Sequence, residues 1–342
     1  MENMEALETV NTAEPMDWKP VKKAHSSIGW ALCVILVAAL AVQLVLKLVL
    51  DTFWPEGCWL TNSSTGMWLF TFVPLYLIAI PAGLLVMKHV PTAPPSPSKM
   101  SAKDFWIFVP ICFFLTYSGN IVGNLLSLLL SGGEAQNALN DYAMDSNPLK
   151  ILFVAALAPL LEEYVFRKQL IDRTRIYGEK TAVFLSALTF ALFHTNLFQF
   201  FYAFLVGWVL GYIYLRSGRL RYPVIIHSIV NTVGSVITPL VLSAVDMETL
   251  SNLDPNATDA EILAIYSRVL PGLLLYYLFA MVLLAVSIIG LAFLIRQCKK
   301  LKWEQSEKQL PPGSSLKGIY LNAGMMVFLI VTLGITVVTL FV

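Results

Sequence analysis

The chain has 342 residues, with 23 Lys and Arg against 22 Asp and Glu, a formal net charge of +1; only 13% of its residues are charged and 57% are hydrophobic. A chain so apolar and so nearly neutral is not disordered, and without a basic excess it is not a nucleic-acid binder. Its four cysteines, Cys33, Cys58, Cys112 and Cys298, are scattered and contain no C-x-x-C pair, which excludes a disulfide-stapled domain and argues against a thiolate zinc site.

The apolar residues fall into blocks at 29–50, 67–87, 105–130, 149–166, 181–201, 202–216, 222–244, 269–295 and 319–342. Each approaches the ~17–25 residues that cross a bilayer, except 202–216, which is short. The expected fold class is all-α, a polytopic transmembrane helix bundle of about nine spans. Residues 1–28 are polar and carry no early apolar stretch, so the first span is expected to be an uncleaved helix. The organisation read from the pattern is a polar segment 1–28, two peripheral helices and a linker over 29–104, a core over 105–295, a linker over 296–318 and a last helix over 319–342. Residues 91–98 (PTAPPSPS) read as a stiff linker, and 303–318 as a charged one. No repeat recurs at a fixed period.

Loop charge gives a direction. Lys19, Lys22 and Lys23 precede the first span, and later loops carry Lys88, Lys99 and Lys103; Arg167, Lys168, Arg173, Arg175 and Lys180; Arg216, Arg219 and Arg221; and Arg296, Lys299, Lys300, Lys302 and Lys308. The alternate loops are acidic, with Asp51 and Glu56; Glu134, Asp141 and Asp145; and Asp246, Glu248, Asp254, Asp259 and Glu261. The positive-inside rule then puts the N-terminus in the cytoplasm and the C-terminus outside. The expected location is the plasma membrane, as a multi-pass protein.

Ionisable residues within spans are costly and mark function by default. The first cluster is 158–167, APLLEEYVFR. Arg167 lies four residues after Glu163, the spacing of a same-face ion pair, and five after Glu162. Glu163 is thus expected to clamp Arg167, leaving Glu162 to face a cavity. Burial beside a second carboxylate suits Glu162 to proton transfer. Pro159 removes a donor and is expected to free the carbonyl of Ala155. The second cluster is Phe190-x-x-x-His194; a lone intramembrane His is more often a hydrogen-bonded structural residue. The third is His227-x-x-x-Asn231, one helix face, with Pro223 in the first turn; an interhelical hydrogen-bond pair explains it equally well. Counted from the start of its span, His194 lies deeper than Glu162 and His227, so that either its span starts later or 167–180 dips into the membrane. The sequence leaves that choice open; subject to it, the four polar groups could line one cavity open to the cytoplasm.

Three further features fit a bundle. Gly207-x-x-x-Gly211 is spaced for close helix approach. Asn120 and Asn124, beside Gly119 and Gly123, are expected to bond between helices, with substrate-backbone binding as the alternative. Trp54, Trp59, Trp68, Trp106 and Trp303 read as interfacial anchors.

In order, Glu162-Glu163-x-x-x-Arg167, Phe190-x-x-x-His194 and His227-x-x-x-Asn231 resemble the motifs of the CPBP (CAAX protease and bacteriocin-processing, or Abi) family of intramembrane proteases, over about 105–295. The resemblance implies a glutamate-dependent endopeptidase. Glu162 would activate the water that attacks the scissile carbonyl and His194 would help hold it. His227 and Asn231 would stabilise the oxyanion, and Glu163 and Arg167 would hold the helix end. The implied substrate is a membrane-associated, prenylated or leader-type peptide, with membrane lipid around it and room for a membrane-protein partner. Two histidines and a glutamate are also a catalytic zinc set. A zinc held by Glu162, His194 and His227 therefore stays open beside the favoured metal-free water, which requires no cofactor. The competing reading is a non-catalytic scaffold or bacteriocin self-immunity protein on the same fold. A proton-coupled transporter is disfavoured because no inverted repeat or paired broken helix is evident.

Overall fold

A computed structural model describes residues 16–137, 144–251 and 258–341. The acidic positions Asp141 and Asp254, the first 15 residues and Val342 lie outside the described residues. No strand occurs among the described residues. The described residues form a bundle whose nine main helical segments are α1 (Trp18–Phe53), α2 (Ser64–Met87), α3 (Ala102–Leu130), α4 (151–174), α5 (Glu179–Phe193), α6 (Leu197–Ser217), α7 (Arg221–Ser243), α8 (Asp259–Cys298) and α9 (Ala323–Val338). Among the described residues six of these, α1, α2, α3, α6, α7 and α8, are long and apolar enough to cross a membrane. Helix α9 is apolar but shorter, α5 has 15 residues, and α4 carries the charged cluster.

The bounds move in informative ways. Asp17 caps α1 by accepting from the Lys19 amide, so the first helix starts well before residue 29. Its 36 residues make a rod of ~54 Å, against a hydrocarbon core of ~30 Å. The block drawn as 181–201 is interrupted by a turn. Helix α5 ends at Phe193, Thr195 takes a positive φ of 47°, and Asn196 caps α6 by accepting from Phe198 N. The same turn lengthens the short 202–216 block to the 21 residues of α6. Residues 167–180 are not a loop. Helix α4 runs on to Thr174, and Arg167, Asp172, Arg173 and Glu179 are all buried.

Two large apolar clusters divide the bundle, beside a small third one of Ile171, Val183, Tyr214 and Leu215. One gathers α1, α2 and α9 against α4 and α5, through residues such as Ile28, Met87, Phe166, Leu170 and Phe328. The other gathers α3, α6, α7 and α8, through Ile111, Leu210 and Ile226. Glycines let the helices close. A Cβ on Gly324 would meet the Ser26 carbonyl, and one on Gly290 the Pro110 carbonyl, both at 1.9 Å. Gly207 and Gly211 face Phe190 and Val183 of α5, the close approach that their spacing suggests. Asn124 instead bonds to Asn120 of its own helix, through both the carbonyl and the side-chain oxygen at 2.8 Å, because the α3–α6 contact is taken by Gly119 and Gly123. Trp54, Trp59 and Trp106 are exposed as anchors are, whereas Trp68 is buried and stacks on Phe72, and Trp303 packs against Trp208 and Tyr212.

One end of the bundle is laced by both linkers. Ala93 N donates to Asp172 O at 2.6 Å and Ser98 N to Ser217 O at 2.7 Å. The 303–318 segment is docked as well. Lys308 N and Leu310 N donate to the carbonyls of Ile176 and Tyr177, both at 3.0 Å, and Glu179 accepts from Glu304 N and from Arg216. The basic loops between α2 and α3, α4 and α5, α6 and α7, and after α8 therefore meet at this end. At the opposite end Asp145 accepts from Ser64 and Trp68.

Candidate active site

The site begins with the local geometry of α4. Its central α-helical turn, Ala158–Glu163, lies between two π-helical stretches, Ile151–Leu157 and Tyr164–Ile171. Such insertions are uncommon and concentrate at functional sites. They also correct the reading of Pro159. In π register the carbonyl facing position 159 is five residues back, so Val154, not Ala155, loses its backbone donor. Asn231 of α7 replaces that donor, its Nδ2 lying 3.0 Å from Val154 O.

Glu163 is fully buried at the centre. Arg167 donates to both its oxygens, from Nε at 2.9 Å and Nη2 at 3.2 Å, the fork expected from the i, i+4 spacing. The remaining Arg167 nitrogen donates to Ser186 Oγ at 3.0 Å, and Ser186 donates to Phe166 O at 2.6 Å. His227 completes the set, with Nδ1 3.0 Å from Glu163 Oε1. A carboxylate only accepts, so Nδ1 carries the proton and, in the neutral ring, Nε2 holds a lone pair. That Nε2 faces Glu162 Oε2 at 3.7 Å, too long for a hydrogen bond. The Glu162 side chain retains 29% exposure against none for Glu163.

His194 sits at the C-terminal end of α5, its Nδ1 2.8 Å from Phe190 O. The carbonyl fixes the proton on Nδ1 and leaves Nε2 as the acceptor. Both Glu162 and His227 are close enough to act on this ring electrostatically. The apparent excess depth of His194 disappears with the new bounds. Glu162 lies ~18 Å and His194 ~22 Å along their helices from the laced end. Phe190 is the wedge that joins the parts. The Arg167 guanidinium lies 4.7 Å over its ring, and the rings of His194 and His227 meet it edge-on at 4.8 and 5.8 Å.

The structure thus brings Glu162, Glu163, Arg167, His194 and His227 together, and sets Asn231 one helical turn beyond His227 against the backbone of α4. Sequence reasoning missed Ser186 and the wedging role of Phe190, although Ser186, Phe190 and His194 recur at i, i+4 and i+8, one stripe of α5. It also missed the bond between Glu163 and His227, which no spacing within one helix can show. Among the described residues no three His, Cys, Asp or Glu side chains are grouped to hold a metal ion. An open groove of about 350 Å³ lined by Ile225, Ser228, Ile229, Thr232, Val233 and Ile237 runs along the face of α7 turned away from His227.

An all-helical bundle with membrane-length helices that gathers paired glutamates, an arginine and two histidines from α4, α5 and α7 has the architecture of an intramembrane peptidase. The model of the Type II CAAX prenyl endopeptidase Rce1-like family matches residues 145–233, a stretch holding Glu162, Glu163, Arg167, Ser186, Phe190, His194, His227 and Asn231. Two bacterial proteins are similar. The membrane-embedded CAAX protease MroQ of Staphylococcus aureus (strain USA300) is 27% identical over 176 residues, 47% of this chain and 70% of that protein. The "Putative membrane peptidase YdiL" of Bacillus subtilis (strain 168) is 25% identical over 179 residues, 49% of this chain and 70% of that one. No solved structure matches. These likenesses, to a CAAX endopeptidase family and to a CAAX protease, support a CPBP-type membrane-embedded protease.

Proposed function

We infer that the protein is a glutamate-dependent intramembrane endopeptidase that hydrolyses a peptide bond in a membrane-associated, prenylated or leader-type substrate. The observation that carries this reading is the division of labour within the glutamate pair. Glu163 is saturated by Arg167 and His227, whereas Glu162 keeps a partly exposed carboxylate with no hydrogen bond as close as those. Glu162 takes a proton from water, and the hydroxide so formed attacks the scissile carbonyl carbon. His194 Nε2 accepts from the same water and orients it. The carbonyl oxygen becomes an oxyanion within reach of the second Asn231 N–H and of His227 Nε2, which donates when its ring carries both protons. As the tetrahedral intermediate collapses, the C–N bond breaks and Glu162 returns its proton to the departing amine.

The convergence of the basic loops supports placing the laced end, and with it the N-terminus, in the cytoplasm of a plasma-membrane protein. Substrate then meets the site from the cytoplasmic side. The test is mass-spectrometric detection of products from a membrane-peptide library. Wild type yields cleaved peptides and Glu162→Ala, still inserted and folded, yields none. Full cleavage by that variant refutes the reading.

A further inference from the structure

The turn between α6 and α7 holds cations in place without a carboxylate. Arg219 Nε donates to Ser98 O at 3.1 Å. Arg221 Nη2 donates to Tyr222 Oη at 3.0 Å, and its guanidinium lies 4.9 Å over the Tyr222 ring. The same hydroxyl accepts from Met100 N at 3.2 Å. Residues 98–100 thus strap both arginines, with the exposed Lys99 between the two anchor points. Every anchor is neutral: a carbonyl, a phenol and a ring. The guanidinium N–H groups not used by these anchors are open to an anion. Acids of this end are engaged elsewhere. Asp104 accepts from Ser101 Oγ at 2.7 Å, Asp172 pairs with Lys168, and Glu179 and Glu304 pair with Arg216. Among the described residues none of them pairs with Lys99, Arg219 or Arg221. Helix α7 starts here on Leu220, which supplies no side-chain cap, so its positive end adds to the charge.

These cations stand at the head of the apolar groove on α7. The groove, of about 350 Å³, begins at Ile225, four residues after Arg221, and its lining continues in steps of three and four to Ile237. Arginine and groove therefore share one helix face. From 225 to 237 the groove runs ~18 Å, close to the ~15 Å of one leaflet in a hydrocarbon core of ~30 Å. It offers little to a polar ligand, since Thr232 Oγ1 is spent on Ser228 O at 2.7 Å. At its head the Phe105 ring packs against Tyr222 at 6.2 Å, and Trp106 is 60% exposed, as an interfacial ring is. Charge at the interface is thus continuous with a hydrocarbon-lined channel below it.

We propose that this face of α7 binds one anionic phospholipid, with its phosphate held by Arg219, Arg221 and Lys99 and one acyl chain lying in the groove. Guanidinium groups suit the phosphate because their forked N–H donors match its oxygens in pairs. The lipid lies on the face of α7 turned away from His227 and braces the helix that carries it. Lipid binding here does not depend on the peptidase reading, and its detection needs no turnover.

The experiment is native mass spectrometry of the full chain in detergent, titrated with dioleoylphosphatidylglycerol, dioleoylphosphatidylcholine or inorganic phosphate. Wild type is expected to retain the anionic lipid in preference to the other two. The double variant Arg219→Gln/Arg221→Gln should bind it about 30-fold more weakly, since each cation facing anionic lipid is worth roughly fivefold. Lys299→Gln/Lys300→Gln removes the same charge from the same end and should bind as wild type does. Ile225→Trp, which fills the mouth of the groove, should weaken the lipid and leave inorganic phosphate unchanged. Equal losses in the two double variants would reduce the effect to surface charge and overturn the proposal. Inorganic phosphate held as tightly as the lipid, with Ile225→Trp silent, would leave an anion site without a lipid and overturn it too. Displacement of the lipid by a farnesylated peptide, but not by the same peptide unmodified, would give the groove to substrate instead. If the double arginine variant does not fold, Ile225→Trp decides: wild-type retention of the anionic lipid in that variant overturns the proposal.

Discussion

Glu163 Oε1 lies 3.0 Å from His227 Nδ1, and the same carboxylate holds the Arg167 guanidinium in a two-pronged bond. One buried anion therefore fixes a histidine on α7 and an arginine on its own helix. This makes the adjacent glutamates experimentally separable. Glu163→Gln leaves the fully buried Arg167 without its counter-charge, and breaking such a pair costs about 3–5 kcal/mol. The expected outcome is loss of both activity and thermal stability in detergent. Glu162→Gln removes no comparable bond and is expected to unfold within about 1 kcal/mol of wild type while losing cleavage. Thermal unfolding of the two variants side by side checks this.

How much of this was legible in advance follows from which interactions are local. The Glu163–Arg167 pair and the Gly207–Gly211 approach are read from i, i+4 spacing, because a helix fixes the geometry of neighbours on one face. The blocks of apolar residues likewise report the long spans, since lipid demands them. What failed was breakage and register. The turn at 194–196 is hidden in an apolar run, and only the positive φ of Thr195 and the Asn196 cap reveal it. The π-helical stretch Ile151–Leu157 of α4 moved the freed carbonyl from Ala155 to Val154, a shift by one residue that composition does not encode. The charges at 167–180 were read as a loop because burial of Asp172, Arg173 and Glu179 depends on partners brought in from elsewhere. Tyr214 donates to Asp172 at 2.7 Å, the Met87 carbonyl accepts from Arg173 at 3.2 Å, and Arg216 bonds Glu179.

Asn231 spends one N–H on Val154 O and keeps the other. Replacing it by Ala removes the donor proposed for the oxyanion and also strands the Val154 carbonyl. The expected loss is about 10²–10³ in kcat, the usual scale for one such donor, with KM changed by less than threefold. Steady-state kinetics on a cleaved peptide separates the two parameters. A loss confined to KM would reassign Asn231 to substrate binding.

Metal dependence has a direct readout. With Glu162 as the base and no ready three-ligand group among the described residues, treatment with EDTA or 1,10-phenanthroline followed by gel filtration is expected to leave cleavage at the untreated rate. Inactivation reversed by added zinc would instead assign the metal to Glu162, His194 and His227.

Gly207 tests the wedge. A Cβ there would lie 3.1 Å from Phe190 Cδ1, so Ala at this position presses on the ring that both histidines touch. Overpacking of this kind costs about 1–3 kcal/mol. Gly207→Ala is expected to fold and to lose part of its activity, and Gly207→Leu to lose nearly all of it. Adding Phe190→Leu to Gly207→Leu relieves the clash and should recover folded yield, though not cleavage, because the ring that braces His194 and His227 is then gone.

Asp145 lies between α3 and α4, where it ties the start of α2 to α4. It accepts from Ser64 Oγ at 2.5 Å, Trp68 Nε1 at 2.6 Å and Asn147 N at 3.0 Å. Partial burial disfavours its charge, but the hydrogen bonds from Ser64, Trp68 and Asn147, with the nearby Lys150 charge, outweigh that and hold the carboxyl below its ordinary value. Because the folded value is depressed, its contribution to stability is complete above the ordinary Asp value of ~3.9 and is lost as pH falls through the lowered folded value. Asp145→Asn keeps the shape but offers one acceptor oxygen where three donors converge, and is expected to cost about 1–3 kcal/mol at neutral pH. Unfolding of wild type and variant in detergent should therefore differ by a constant amount from pH 8 down to the carboxylate range and converge only in stronger acid. A Trp68→Phe variant, which loses the indole donor to Asp145 but keeps a ring, should share the stability loss.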